Sequence, residues 1–111
     1  DFTSPSRFVR AAFFRNTAPP LDDGLDTILQ AFHLLNNFDV PIAIEAPNEK
    51  RLPSATHWTS AIDLTARTIY YKTAYNTTIR CIDLRDIDFT KVKYEAFPLD
   101  KIALQPIEYL Y

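Results

Sequence analysis

Residues 57–84 read HWTSAIDLTARTIYYKTAYNTTIRCIDL, and their two-residue period decides the fold class. Trp58, Ser60, Ile62 and Leu64 alternate with Thr59, Ala61 and Asp63, as a strand with two unlike faces requires. Thr65-Ala66-Arg67 is the expected turn. Thr68 to Tyr75 forms a second strand, dense in β-branched and aromatic residues that suit a pleated surface. Asn76-Thr77-Thr78 then turns into a third strand, Ile79 to Leu84. Three strands joined by such short turns make an antiparallel meander.

Upstream the period changes to that of a helix. Ser4-Pro5 reads as a helix start, with a hydroxyl to cap free amides and proline in the first turn, where its missing N–H costs nothing. From there Phe8, Val9, Ala12 and Phe13 form one stripe, and Arg7, Arg10 and Phe14 form another. The helix should stop near Asn16, ahead of Pro19-Pro20. Asp22-Asp23-Gly24 opens a second helix, its acidic pair matching the positive end of the helix dipole. Leu25, Ile28, Leu29, Phe32 and Leu35 repeat at helical spacing up to Asn36-Asn37. The two helices form a hairpin. With the meander they give an α+β arrangement.

Between the two halves, Val40-Pro41-Ile42-Ala43-Ile44 is a short extended apolar run, and Glu45 to Pro53 reads as an exposed loop. After Asp86 the pattern is less regular, with one further strand expected at Lys93 to Phe97 and a tail rich in Pro, Leu and Tyr. At 111 residues the chain has the length of one domain or part of one. Its 47% hydrophobic and 23% charged residues are those of a globular protein, not a disordered one.

Several function classes fall away on composition. A net charge of −2 supplies no global basic field for nucleic acid. No apolar run reaches the roughly 20 residues of a membrane span. The single glycine, Gly24, leaves no phosphate-cradling glycine loop. One cysteine and two histidines give no metal-ligand spacing, so neither metal nor cofactor is expected. The chain has no methionine and starts at Asp1, which leads to the expectation of a processed or truncated piece of a longer protein.

The remaining candidates each have a plain structural reading. Arg10 and Arg15 read as solvated charges with stems on apolar neighbours. Arg7 lies in the first helical turn, where a cation opposes the dipole and calls for a partner; its role stands open between structural and functional. Cys81, between Arg80 and Ile82, reads as a sheet thiol, because a nucleophilic cysteine needs a base in reach. A competing reading would pair Cys81 with His57. His33 reads as a polar flank of the second helix and His57 as a strand-edge residue. Asn76-Thr77-Thr78 fits a glycosylation sequon and a turn equally well. Asp83, Asp86 and Asp88 lack the glycine and glutamate of a calcium loop and read as solvated turn charges.

Ser4-Pro5-Ser6-Arg7-Phe8-Val9-Arg10-Ala11-Ala12-Phe13 resembles a segment of the choloylglycine hydrolase family, which includes conjugated bile salt hydrolases and penicillin V acylases. Ala31-Phe32-His33-Leu34-Leu35 is similar to that family's second helix, and Val40-Pro41 to the step that follows it. Thr56 to Ser60, Ile69 to Asn76 and Ile79 to Asp83 resemble its closing strands. The likeness runs to about Leu84.

The resemblance implies an N-terminal nucleophile hydrolase with an αββα fold. Its cysteine nucleophile would be residue one of the mature protein, and its substrate a linear amide such as penicillin V, an acyl homoserine lactone or a conjugated bile salt. It also implies that Arg7 is an active-site residue, a fixed cation that favours a thiolate and binds developing negative charge. The nucleophile matches no position in this chain. Residues 1–111 are therefore expected to be the C-terminal part of one hydrolase domain, with helices about 4–38, strands about 56–84 and a tail over 85–111. Alone the chain should be inactive. Its expected partners are the rest of the same enzyme and a small amide substrate, with neither nucleic acid nor a membrane span, and it is expected to self-associate as a homo-oligomer. Thr56-His57-Trp58-Thr59 resembles the Gram-negative branch, which implies a periplasmic location, with a cytoplasmic one as alternative. A non-catalytic interaction module derived from the same fold is the competing function.

Overall fold

The computed structural model describes residues 3–41, 55–91, 93, 100, 102 and 104–111. They fall into two compact units, Asp1–Thr56 and His57–Tyr111. The expected loop at Glu45 to Pro53, the end of the apolar run at Ile42 to Ile44, and the strand beyond Lys93 lie outside the described residues.

The first unit is a helical hairpin. Helix α1 spans Ser4–Thr17 and α2 spans Gly24–Leu35, followed by a 3-10 turn over Asn36–Phe38. Ser4 begins α1 rather than capping it, because Thr3 holds the extended conformation ahead of the first turn and Arg7 N–H donates to the Thr3 carbonyl at 3.0 Å. Pro5 sits in that first turn. The helix ends where Ala18 turns extended, with its N–H on the Phe14 carbonyl at 2.9 Å; Pro19 disfavours helical geometry in the residue before it. Asp23 caps α2, its carboxylate accepting from Asp26 N–H at 3.0 Å. At the other end the Asn37 side chain donates to the His33 and Leu34 carbonyls at 3.3 and 3.1 Å, satisfying groups the helix leaves open.

Burial in this unit departs from the expected stripes. Ile28 and Phe32 are buried, but Leu25 and Leu29 on the same stripe of α2 are exposed. On α1 the Phe8, Val9 and Phe13 stripe is exposed, whereas Arg10 and Phe14 are half-buried. The stripe carrying the arginines is the one that meets the end of α2. Val40 and Thr56 close the unit: Val40 N–H donates to Thr56 Oγ1 at 2.9 Å, and Thr56 N–H donates to the Val40 carbonyl at 3.1 Å.

The second unit is an antiparallel sheet ordered β1-β2-β3, with β1 at Trp58–Asp63, β2 at Thr68–Thr73 and β3 at Asn76–Asp83. The first turn carries its strain at Arg67, which has φ 58°, a conformation costly for any side-chain-bearing residue. Asp63 supports that turn by accepting from Ala66 N–H at 3.0 Å. The second turn falls at Ala74-Tyr75, earlier than the Asn-Thr-Thr run suggests. Thr73 pairs with Asn76 and Tyr71 with Arg80, so β3 spends more residues than β2 over the same stretch and bulges. Asn76 is buried within that bulge, its Oδ1 accepting from Thr78 N–H at 3.1 Å, which supports the structural reading of the Asn-Thr-Thr run. Ile62, Ile69 and Ile82 line up across the sheet, beside a row of Ser60, Tyr71 and Arg80. The β1 end of this face is open, with Trp58 69% and Ile62 56% exposed.

Candidate functional site

Arg7 and Arg10 occupy successive turns of α1, and both reach Phe38 at the end of α2. The Arg7 guanidinium carbon lies 6.0 Å from the Phe38 ring centroid, and that of Arg10 lies 5.1 Å from it. Arg10 also donates from Nη1 to the Asn37 carbonyl at 3.2 Å. Phe14 meets the same ring edge-on at 6.4 Å, and Phe13 packs edge-on against Phe14 at 5.7 Å. A ring face attracts a guanidinium through its quadrupole, so one aromatic residue gathers two cations from the facing helix.

The two arginines differ in how they are held. Arg10 is half-buried and spends a donor on the α2 terminus, which corrects its expected role as a solvated surface charge: the Asn37 carbonyl and the Phe38 face replace its water. Arg7 is exposed, and among the described residues no carboxylate pairs with its guanidinium. Among the described residues its guanidinium meets the ring, which accepts none of its five N–H donors in the manner of an oxygen. Arg7 is thus a cation beside a ring, with donors available to an anionic or carbonyl group.

In the sheet unit a second polar cluster joins β2, β3 and the C-terminal segment. Arg80 lies over the Tyr71 ring at 4.5 Å and ion-pairs with Asp100, whose other oxygen accepts from the Tyr71 hydroxyl at 2.8 Å. Arg80 Nη1 also donates to the Asn76 and Thr78 carbonyls at 2.9 and 2.7 Å, filling the β3 bulge. Burial first, then the bond to Asp100, pushes the Tyr71 hydroxyl above its usual pKa, with Arg80 opposing. Gln105 continues the attachment, accepting from Thr77 N–H at 2.9 Å and donating to Thr77 Oγ1 at 3.0 Å. The hydrogen bonds of this cluster run to the chain itself. The cluster fastens structure and leaves little for a ligand.

Cys81 is an exposed thiol on β3, on the sheet as expected but outside any core. Cys81 pairs with Tyr70 and Tyr70 with Ala61, which places His57 about 9.5 Å away across the strands and roughly 13 Å along them. That separation is too great for proton transfer. Asp83 accepts from Arg85 N–H and Nε at 3.0 and 2.9 Å, and Asp88 accepts from Thr90 N–H and Oγ1 at 3.0 and 2.6 Å. Arg85 holds the Asp83 carboxyl down at about 2. These acidic residues act as turn caps. Among the described residues no group of three His, Cys, Asp or Glu side chains is placed to hold a metal ion, and no helix is long and apolar enough to cross a membrane.

Sequence patterning singled out Arg7 but not Phe38 or Asp100. Phe38 follows the double asparagine that stops α2, where periodicity carries no message about direction. Its signal was the second stripe of α1, which needed something aromatic or acidic to face. Asp100 lies in an irregular region with no period at all.

Comparison with known proteins extends these observations. The family model for linear amide C–N hydrolases of the choloylglycine hydrolase family matches residues 1–96, further than the likeness visible to about Leu84. The bile salt hydrolase/transferase of Clostridium perfringens is 32% identical over 95 residues, covering 84% of this chain and 29% of that protein. Among solved structures, a conjugated bile acid hydrolase from Clostridium perfringens superposes with a TM-score of 0.71 at 24% identity, covering 100% of this chain and 33% of that one. The penicillin V acylase from Agrobacterium tumefaciens gives a TM-score of 0.65 at 27% identity, covering 79% of this chain and 27% of that one. The chain spans a third or less of the length of these relatives. The two helices and antiparallel sheet are the α+β elements of those N-terminal nucleophile hydrolase neighbours, and with the match over residues 1–96 they establish that the chain belongs to the choloylglycine hydrolase family of linear amide C–N hydrolases.

Proposed function

We propose that this chain is the C-terminal portion of a linear-amide hydrolase, acting on penicillin V, acyl homoserine lactones or conjugated bile salts, and that Arg7 is its contribution to the active site. The observation that carries this reading is the exposed Arg7 guanidinium, set against a ring and, among the described residues, against no carboxylate, within a segment that fits the family. The nucleophile comes from residues outside this chain. The coverage of 33% and 27% of the solved relatives supports that division.

In the proposed reaction a terminal cysteine sulfur attacks the amide carbonyl carbon as the α-amine takes the thiol proton. The C–N bond breaks, and the amine leaves with that proton. Water then adds to the thioester and releases the acid and the thiol. Arg7 lowers the energy of the thiolate and of the oxygen that gains charge in each addition.

The test is amide hydrolysis by the full-length protein with and without Arg7→Ala. Loss of one positioned donor at a developing oxyanion costs on the order of 10²- to 10³-fold in kcat, and a loss of that size with unchanged unfolding is the expected result. Wild-type turnover in Arg7→Ala would remove Arg7 from the site. No hydrolysis of any of the three amide classes, with cooperative folding of residues 1–111 alone, would favour a non-catalytic interaction module.

A further inference from the structure

We infer that Phe38 is a positioning residue for Arg7, an aromatic platform that fixes the guanidinium without spending its hydrogen-bond donors; this rests on the proposed catalytic role of Arg7. An active-site cation faces two conflicting demands. It has to be held in place, yet its charge and donors have to remain available to the reacting group. A carboxylate partner would meet the first demand by defeating the second, since a bidentate acid takes two N–H groups and cancels the charge. A ring face meets both.

The arrangement of α1 and α2 matches that requirement. Arg7 sits in the first turn of α1, where the helix dipole disfavours a cation, and its observed partner is the Phe38 ring at 6.0 Å. Phe38 is in turn held from several sides. Asn37 ties the turn to α2 through the His33 and Leu34 carbonyls. Arg10 clamps it from α1, donating to the Asn37 carbonyl and lying 5.1 Å from the ring. Phe14 packs against its edge. The division of labour follows: Arg10 anchors the turn, Phe38 presents the face, and Arg7 is left with its donors open.

The experiment uses the full-length protein carrying Arg7→Ala, Phe38→Leu, Phe38→Tyr and the double variant Arg7→Ala/Phe38→Leu. Leucine keeps an apolar side chain and removes the π face, whereas tyrosine keeps both. Phe38→Leu is expected to lower kcat roughly two- to fivefold, the range of an exposed cation–π contact, with little change in KM. Phe38→Tyr restores kcat to near wild type, and Phe38→Leu adds no loss in the Arg7→Ala background. Ring-current shifts at the Arg7 side-chain protons, present in wild type and Phe38→Tyr and absent in Phe38→Leu, report the contact independently of turnover. Wild-type kcat in Phe38→Leu, an equal loss in the Arg7→Ala background, or no ring-current shift at Arg7 would each overturn the positioning role while leaving catalysis by Arg7 intact. Wild-type kcat in Arg7→Ala would overturn the catalytic reading itself, and the positioning role with it.

Discussion

The guanidinium of Arg80 lies over the ring of Tyr71, its central carbon 4.5 Å from the ring centroid, and the two residues are register partners across β2 and β3. Asp100 binds both of them, and Gln105 adds paired bonds to Thr77. Two points of the C-terminal segment are therefore fastened to the strand at one edge of the sheet. Open strand edges invite pairing with other chains. A bulged β3, filled by Arg80 and overlaid by residues 100 and 105, is a poor template for such pairing.

Asp100→Ala should loosen that attachment. It leaves the Arg80 guanidinium without its acid and the Tyr71 hydroxyl without its acceptor, both only partly exposed. Groups deprived of their partners in this way cost about 1–3 kcal/mol. Denaturant unfolding should show a loss in that range, and limited proteolysis should cut earlier in the C-terminal segment. Unchanged stability and an unchanged cleavage pattern would mean that the cluster is ornamental.

Tyr71 sets the alkaline limit of the same cluster. Its hydroxyl is raised above the usual tyrosine value by burial and then by Asp100, so the folded state keeps the proton longer than the unfolded chain does. Stability from this group is complete below the unfolded pKa of about 10 and declines as pH rises through the folded value. In a tyrosinate absorbance titration the ionisation lost in Tyr71→Phe should be one that lies above the ordinary tyrosine range. Tyr71→Phe should flatten the alkaline decline, and a parallel decline in that variant would contradict the assignment.

What the sequence disclosed follows from where its periodicity was strong. Alternation from Trp58 to Asp63 and the β-branched run from Thr68 placed β1 and β2, although the face of β1 that carries Trp58 and Ile62 is the exposed one. Helical spacing placed α2 and its buried pair Ile28 and Phe32. The second sheet turn was misplaced because Asn76-Thr77-Thr78 carries strong turn chemistry, which here builds a bulge within β3. Which stripe of α1 would be covered was not legible, since two stripes competed and the choice depended on Phe38. Arg7 was legible as a cation in the wrong place for the dipole. The ring that holds it was not, because a helix-terminal aromatic has no periodic partner.

Arg67 offers a local test of turn strain. With no glycine available in the sheet region, the left-handed position at φ 58° falls on an arginine, whose carbonyl accepts from Leu84 N–H at 3.0 Å. A left-handed conformation costs a side-chain-bearing residue about 1–2 kcal/mol. Arg67→Gly relieves it but gains entropy in the unfolded chain, so the net gain should be under about 1 kcal/mol. Arg67→Val should lose stability, because β-branching disfavours positive φ further. Thermal unfolding that ranks valine above arginine would refute this account of the turn.

Cys81 should prove accessible and dispensable. Its thiol is exposed on β3 and too far along the sheet from His57 for proton transfer. A thiol reagent should label it in the folded protein, and Cys81→Ser should leave amide hydrolysis by the full-length protein at the wild-type rate. A large fall in kcat with normal folding would return Cys81 to the list of nucleophiles.

Phe32 and Phe8 separate what the chain covers itself from what it leaves open. Phe32 on α2 is 4% exposed, whereas Phe8 on α1 is 75% exposed. Phe32→Ala should cost about 3–5 kcal/mol through lost transfer energy and the cavity left behind. In residues 1–111 alone Phe8→Ser should change stability by no more than about 0.5 kcal/mol, as for any exposed site. In the full-length protein the proposed remainder of the hydrolase would cover Phe8, and the same change should then cost about 1.5–3 kcal/mol, the value of a buried phenylalanine. Denaturant melts of the two lengths side by side give the comparison. Equal effects of Phe8→Ser in both would show that the Phe8, Val9 and Phe13 stripe stays in water, and the picture of α1 as an outer helix awaiting the rest of its domain would have to be abandoned.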